Sequence, residues 1–370
     1  MISLKLLLTV SAFFLLGCGS HSAKDKTTNL TLTTLKTPSD ILNLNNQEPK
    51  VAVQVNDKWQ LIWSDEFNGS TIDLTKWSFE VNCSGSGNGE HQCYTNRKEN
   101  AFIEQGVLKI VALNESFTGP ALHDDDPSYH SSTNRTLPFT SARLRSKNKG
   151  DWTFGRFEIR AKLPQGQGTW PAIWMLPTAW AYGGWAGSGE IDIMEAVNLK
   201  TQSDQDGAIL EQEEARVHGT LHYGRAWPEN VYSGKDFLLP NGVNPADNFH
   251  VYTIEWQEGE IRWYVDNIHF ATQRDTGWYT QYMNNNASLI NGIDSAPFDQ
   301  KFHLILNFAV GGNWPEATND KGINNNIFPQ SFDIDYVRVY QCSTSPLTGL
   351  GCETIGDKAT LVEGPLAPAL

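Results

Sequence analysis

An all-β sandwich of antiparallel strands is the fold class this sequence predicts, on three observations. Short segments of alternating polarity recur from residue 59 onward, turn-forming residues separate them, and helical periodicity is scarce. The chain has 370 residues, room for one large β domain with tails or for two small domains. No internal repeat is visible.

The elements follow in order. Segments 108–113, 141–147 and 156–163 alternate; in the last, Phe157, Ile159, Ala161 and Leu163 oppose Glu158, Arg160 and Lys162. Segment 172–176 is apolar, and 217–223 alternates with His218, Thr220 and His222 on one face. Segments 251–256 and 261–265 flank Gln257-Glu258-Gly259-Glu260, a hairpin signal. An apolar run at 304–310 and an alternating one at 334–340 close the set. Stretches 114–139, 199–215 and 279–300 read as long loops, of the kind that shape a cleft on a β scaffold.

The ends read differently. Residues 1–17 form an export signal: Lys5 is followed by an apolar stretch too short to span a bilayer stably. Leu15-Leu16-Gly17-Cys18 resembles a bacterial lipoprotein signal, with cleavage before Cys18 and acylation of its thiol. Gly19 in the next position resembles outer-membrane sorting in Gram-negative bacteria. The other reading is plain secretion with Cys18 discarded or unmodified. Residues 18–56 are polar and aperiodic, a flexible tether. Residues 57–342 form the main domain, and 343–370 a weakly ordered tail apart from a disulfide loop.

Five cysteines fit export: with Cys18 lipidated, Cys83, Cys93, Cys342 and Cys352 remain. Two local bridges, Cys83 to Cys93 and Cys342 to Cys352, are the simplest of three connectivities. The spacings match no common zinc pattern. The formal net charge of −14 makes the chain a poor partner for nucleic acid or a polyanion, and favours a neutral substrate. Thirteen tryptophans exceed what an ordinary core needs. Exposed indole faces stack on sugar rings, although half or more of them belong to the core.

Residues 189–198 read Gly-Glu-Ile-Asp-Ile-Met-Glu-Ala-Val-Asn. Glu190, Asp192 and Glu195 sit in an apolar run, and burying three acids together is unfavourable unless they share protons or partners. On a strand Glu190 and Asp192 point one way, while Glu195 lies at an odd offset. One β-bulge between Asp192 and Glu195 returns it to the same face. Two carboxyls about 5–5.5 Å apart, one nucleophile and one acid/base, are what a retaining glycosidase needs. The same acids could instead line the solvent face of a helix, or bind Ca²⁺; the apolar residues between them fit a helix poorly.

The run Glu190-Ile191-Asp192-Ile193-Met194-Glu195 resembles the signature of glycoside hydrolase family 16 in its bulged form. Leu61-Ile62-Trp63-Ser64-Asp65-Glu66-Phe67 is similar to the family's start. Gly87 to Thr95 resembles its substrate-loop segment, with Cys93 where an aromatic is usual. Thr140 to Leu144, Gly155 to Pro164, Trp170 to Leu176, His218 to His222, Ala309 to Pro315 and Asp335 to Tyr340 follow in family order. The resemblance spans about 59–342 and is closest to the laminarinases, endo-acting 1,3-β-glucanases.

The resemblance implies a jelly roll of two curved antiparallel sheets, concanavalin A-like, with a substrate cleft on the concave face. It implies Glu190 as nucleophile, Glu195 as acid/base and Asp192 as the helper orienting Glu190. Asn88, Arg143, Trp170, Trp174 and His218 match cleft positions, and Trp185 in its Gly-rich segment reads as a cleft wall. Arg143 is expected to donate paired hydrogen bonds to sugar hydroxyls. Either His218 or His222 can reach the carboxylates. A structural Ca²⁺ would take the carbonyls of Glu66 and Gly106 and the carboxylate of Asp335; catalysis needs no cofactor. The expected partner is a β-glucan, with no nucleic acid, membrane contact through the lipid anchor alone, and a monomeric chain. The competing readings are mixed-linkage glucan or a marine galactan as substrate, and a non-catalytic glycan-binding surface protein.

Overall fold

The computed structural model describes residues 57–124, 132–204 and 212–370. The signal, the tether and Cys18 lie outside them. Two large sheets dominate, one of eleven strands and one of eight. The eight-stranded site sheet runs Asn230–Leu238, Arg216–Gly224, Glu190–Glu195, Thr169–Pro177, Phe302–Val310, Arg143–Arg145, Ser78–Phe79, with Asp151–Trp152 beside Phe302–Val310. The back sheet is centred on Gly155–Lys162, between His250–Gln257 and Gln330–Cys342. Among the described residues the one α-helix is the five-residue Asn313–Ala317. This is the expected jelly-roll sandwich.

Alternation builds the core between the sheets. Phe157, Ile159 and Ala161 from the back sheet meet Ile173, Met175, Ile191, Leu221, Leu304 and Leu306 from the site sheet, all essentially inaccessible. Trp256 and Trp263 fill the middle, so these tryptophans are core.

Two expectations are corrected. The stretch 114–139 is largely a long hairpin, not a loop: Val107–Pro120 pairs antiparallel with Asn134–Ser141. Its polar sequence hid the strands because outward residues such as Asn114, Glu115 and Thr118 form a two-sided ribbon with little core face. The segment 343–370 is not a weakly ordered tail. Thr360–Val362 adds a parallel edge strand to Ile268–Arg274. Thr354 N–H donates to Glu255 Oε2 at 2.8 Å and Gly356 N–H to His269 Nδ1 at 3.0 Å. Polar contacts and one buried aliphatic side chain, Val362, hold it to the back sheet, so no hydrophobic period marked it. The stretch 279–300 carries one small hairpin, Gln281–Met283 with Leu289–Asn291. Both expected disulfides, Cys83–Cys93 and Cys342–Cys352, are formed.

Candidate active site

Gly189 leads into the strand Glu190–Glu195 with φ +86°, and a Cβ there would meet Phe298, Phe302 and Pro297 at 3.0–3.1 Å. The entry therefore requires glycine. Glu190 lies opposite His222, Asp192 opposite Thr220 and Glu195 opposite His218. Asp192 to Glu195 is three steps on this strand and two on its partner. That is the bulge read from the sequence. Ile193 and Met194 both turn into the core, which brings Glu195 back to the face of Glu190 and Asp192. From the back sheet Trp263 donates its indole N–H to the Asp192 carbonyl at 2.9 Å, holding the bulge from beneath.

Each outer carboxylate is oriented by one indole. Trp185 Nε1–H donates to Glu190 Oε2 at 2.7 Å, and Trp170 Nε1–H to Glu195 Oε1 at 3.0 Å. Between the acids stands His222, its Nε2 at 3.6 Å from Glu190 Oε1 and 3.5 Å from Asp192 Oδ2. Asp192 Oδ2 and His222 Nδ1 are buried without hydrogen-bond partners. Among the described residues no Lys or Arg forms an ion pair with any of the three acids.

Burial without a paired cation sets the titration. Burial, then the charge of Glu195, pushes Glu190 up to about 8, against the Trp185 hydrogen bond and the nearby charge of Arg143. Burial raises Glu195 to about 7, against the Trp170 hydrogen bond and with the charge of Glu90 adding to the rise. Burial, Glu190 and Glu195 hold Asp192 well above the carboxylate range. The three acids therefore share protons and titrate as a unit. Burial pushes His218 and His222 down to about 4, so both are neutral imidazoles at neutral pH. Groups of this kind can deliver and accept a proton near neutral pH.

The other expected cleft residues divide. Trp170 stands edge-on to Trp314 with centroids 5.5 Å apart, and His218 edge-on to the same ring at 5.0 Å. Trp174 Nε1–H donates to Asn307 Oδ1 at 2.6 Å. Asn88 borders this group: its amide donates to Glu90 Oε1 at 3.3 Å. Arg143 is corrected. Its guanidinium is buried and already donates to Glu80 Oε1 and Ser86 Oγ, both at 3.1 Å. It lies over the rings of Tyr94 and Trp174, at 4.5 and 5.3 Å. It braces the wall instead of presenting a free fork to a sugar.

Sequence reading did not single out Glu80, Glu90 or Asn307. Asn307 had a signal, as the lone polar residue in an apolar run, and Glu90 lay in the glycine-rich segment quoted above. The expected calcium residues lie away from these acids, on or beside the back sheet. Asp335 sits at a bulge of Gln330–Cys342 and accepts from Arg160 Nη1 at 2.8 Å. Gly106 occupies the turn before Val107–Pro120, and the Glu66 carboxylate takes both prongs of Arg338. One arginine-shared acid and two carbonyls fit only a weakly held Ca²⁺.

The family model for glycosyl hydrolases family 16 matches residues 88–303. The chain belongs to this family. It is 40% identical over 289 residues to glucan endo-1,3-beta-glucosidase A1 of Niallia circulans, across 76% of this chain and 38% of that protein. It is 40% identical over 292 residues to a beta-glucanase of Rhodothermus marinus, across 76% of this chain and 85% of that one. The chain thus spans less than half the length of the first and most of the second. Among solved structures, the laminarinase from Rhodothermus marinus aligns with TM-score 0.57 at 38% identity, covering 76% of this chain and 97% of that one. All three acids and both indole donors lie within the span matched by the family model.

Proposed function

We propose that this chain is a retaining endo-1,3-β-glucanase acting on laminarin-like glucans. The observation that carries the reading is the bulge, which sets Glu190 and Glu195 on one face with an indole donor on each. The names of the relatives above support the substrate.

In the first step Glu190 attacks the anomeric carbon and Glu195 gives its proton to the departing glycosidic oxygen. In the second, Glu195 takes a proton from water, which attacks the same carbon and frees Glu190. The proton must lie on Glu195 and off Glu190 at attack. Asp192, on the same face two residues along and raised by its burial, stands where it can exchange a proton with the pair. The chemistry needs no metal. The carbonyls of Glu66 and Gly106 and the Asp335 carboxylate would hold a weakly bound Ca²⁺ with a structural role only.

The test is product analysis on laminarin with anomeric proton NMR. A ladder of 1,3-linked oligosaccharides that appear first as β-anomers is the expected result. Initial α-anomers would overturn the retaining mechanism, and products from agarose or carrageenan alone would overturn the substrate. The proposal extends to placement: an exported, monomeric lipoprotein anchored through Cys18. Fatty-acid labelling lost in Cys18→Ser is the expected outcome; labelling that persists would contradict it.

A further inference from the structure

Resting on the glucanase reading, we propose that Tyr232 and the bare backbone at Gly234 beside it form a subsite for a glucosyl ring beyond the catalytic carboxylates. It lies on the flank of the site sheet opposite to Arg143 and Trp174.

Asn230–Leu238 is the edge strand of the site sheet and pairs with Arg216–Gly224. Tyr232 lies opposite His222, Gly234 opposite Thr220 and Asp236 opposite His218. Cross-strand partners share a face, so this row continues the face that carries Glu190, Asp192 and Glu195. The alternate residues point inward, as Phe237 does in packing on Phe270 at 4.9 Å.

Three features of the row fit a sugar. The Tyr232 ring is 69% exposed, yet its inner edge is set by His222, 5.6 Å away at 35°. His222 in turn lies 5.7 Å from Trp185, so the aromatic surface runs unbroken from the nucleophile's indole donor to the sheet edge. Beside Tyr232 the row lacks a side chain: a Cβ on Gly234 would lie 2.3 Å from the Gly219 carbonyl, so none fits there. The same point is 2.9 Å from Thr220 Oγ1, which places a hydroxyl beside Gly234. Asp236, half-buried, closes the far end and already pairs with Lys235 at 3.1 Å. A flat aromatic wall, a floor without side chains and polar groups at its margin match a pyranose ring, with apolar C–H faces and equatorial hydroxyls. The occupant is one more unit of the same glucan because the row is continuous with the catalytic face.

The test is kcat/KM along a series of 1,3-linked gluco-oligosaccharides for wild type, Tyr232→Ala and Tyr232→Phe. In Tyr232→Ala the ratio of long-substrate to short-substrate kcat/KM is expected to fall about three- to tenfold. Tyr232→Phe, which keeps the ring face, should stay within about twofold of wild type. An unchanged ratio in the alanine variant, or an equal loss at every length, would overturn the subsite. The Tm of Tyr232→Ala separates lost packing from lost binding: a drop in Tm with equal losses at every length marks a structural residue and overturns the proposal. Failure of the glucanase reading is visible separately, as wild-type inactivity on every member of the series.

Discussion

Two groups of buried acids lie on opposite sheets of this molecule, and they differ in one respect. On the back sheet Glu158 and Glu255 are inaccessible, and Arg156 bridges them with nitrogen–oxygen distances of 2.7 Å to each. Tyr264 O–H and Thr354 N–H both donate to Glu255 Oε2, at 2.9 and 2.8 Å. Burial works against the Arg156 charge, but the two glutamates outweigh it and hold the guanidinium above its ordinary range. On the site sheet Glu190 and Asp192 are buried and Glu195 is half-buried, with two indole N–H groups and a neutral imidazole for company. Burial alone therefore does not make an acid reactive. With a cation the acid is a structural tie; without one its proton becomes available near neutral pH.

The comparison is broken most severely at the nucleophile. Glu190→Gln is expected to lower kcat on 1,3-glucan by about 10³-fold or more while leaving Tm equal or higher, since one uncompensated acid is gone. Steady-state kinetics and thermal melting check both halves.

On the other sheet the expected effect falls on folding. Arg156→Ala strands Glu158 and Glu255 without their cation and should destabilise by about 3–5 kcal/mol, read as a lower urea midpoint. The kcat per folded molecule should stay at the wild-type value.

The pH dependence sharpens the contrast. The Glu190 and Glu195 carboxyls are raised in the fold from 4.5, to about 8 and about 7. They bind protons more tightly folded than unfolded, so their contribution to stability is fully present below the unfolded value. It is lost as pH climbs through about 7 and about 8. Glu190→Gln should therefore gain in Tm over wild type as pH rises from 4 to 9, by about 2–4 °C per kcal/mol relieved. A difference that is constant with pH would contradict the raised carboxyls.

Smaller effects are expected away from both groups. The Cys83–Cys93 bridge clamps the segment that carries Asn88 and Glu90. Its reduction should raise KM by about two- to fivefold and lower kcat less, because that segment lines the cleft and leaves Glu190 and Glu195 in place. Unchanged kinetics after verified reduction would remove the segment from substrate binding. Chelation is expected to do least: EDTA should lower Tm by about 1–2 °C, with no change in kcat.

Much of the site was legible because its signals are local. Glu190, Asp192 and Glu195 lie within one strand, and an odd offset in an apolar run has a single cheap solution, the bulge. The sandwich was legible from alternation for the same reason. What escaped depended on partners distant in sequence. Arg143 read as a free donor because nothing near it announced Glu80, 63 residues away. The segment 343–370 read as weakly ordered because backbone donors to Glu255 and His269, a short edge strand and the single buried aliphatic Val362 leave no apolar pattern. Tyr232 gained meaning only once the register set it opposite His222.

The most direct test of the central claim measures kcat on laminarin and Tm together for Glu190→Gln and Glu158→Gln. The two should separate cleanly. Glu190→Gln should be folded and inert, and Glu158→Gln destabilised yet active per folded molecule. An active Glu190→Gln, or one that unfolds as readily as Glu158→Gln, would contradict the division between reactive and structural acids.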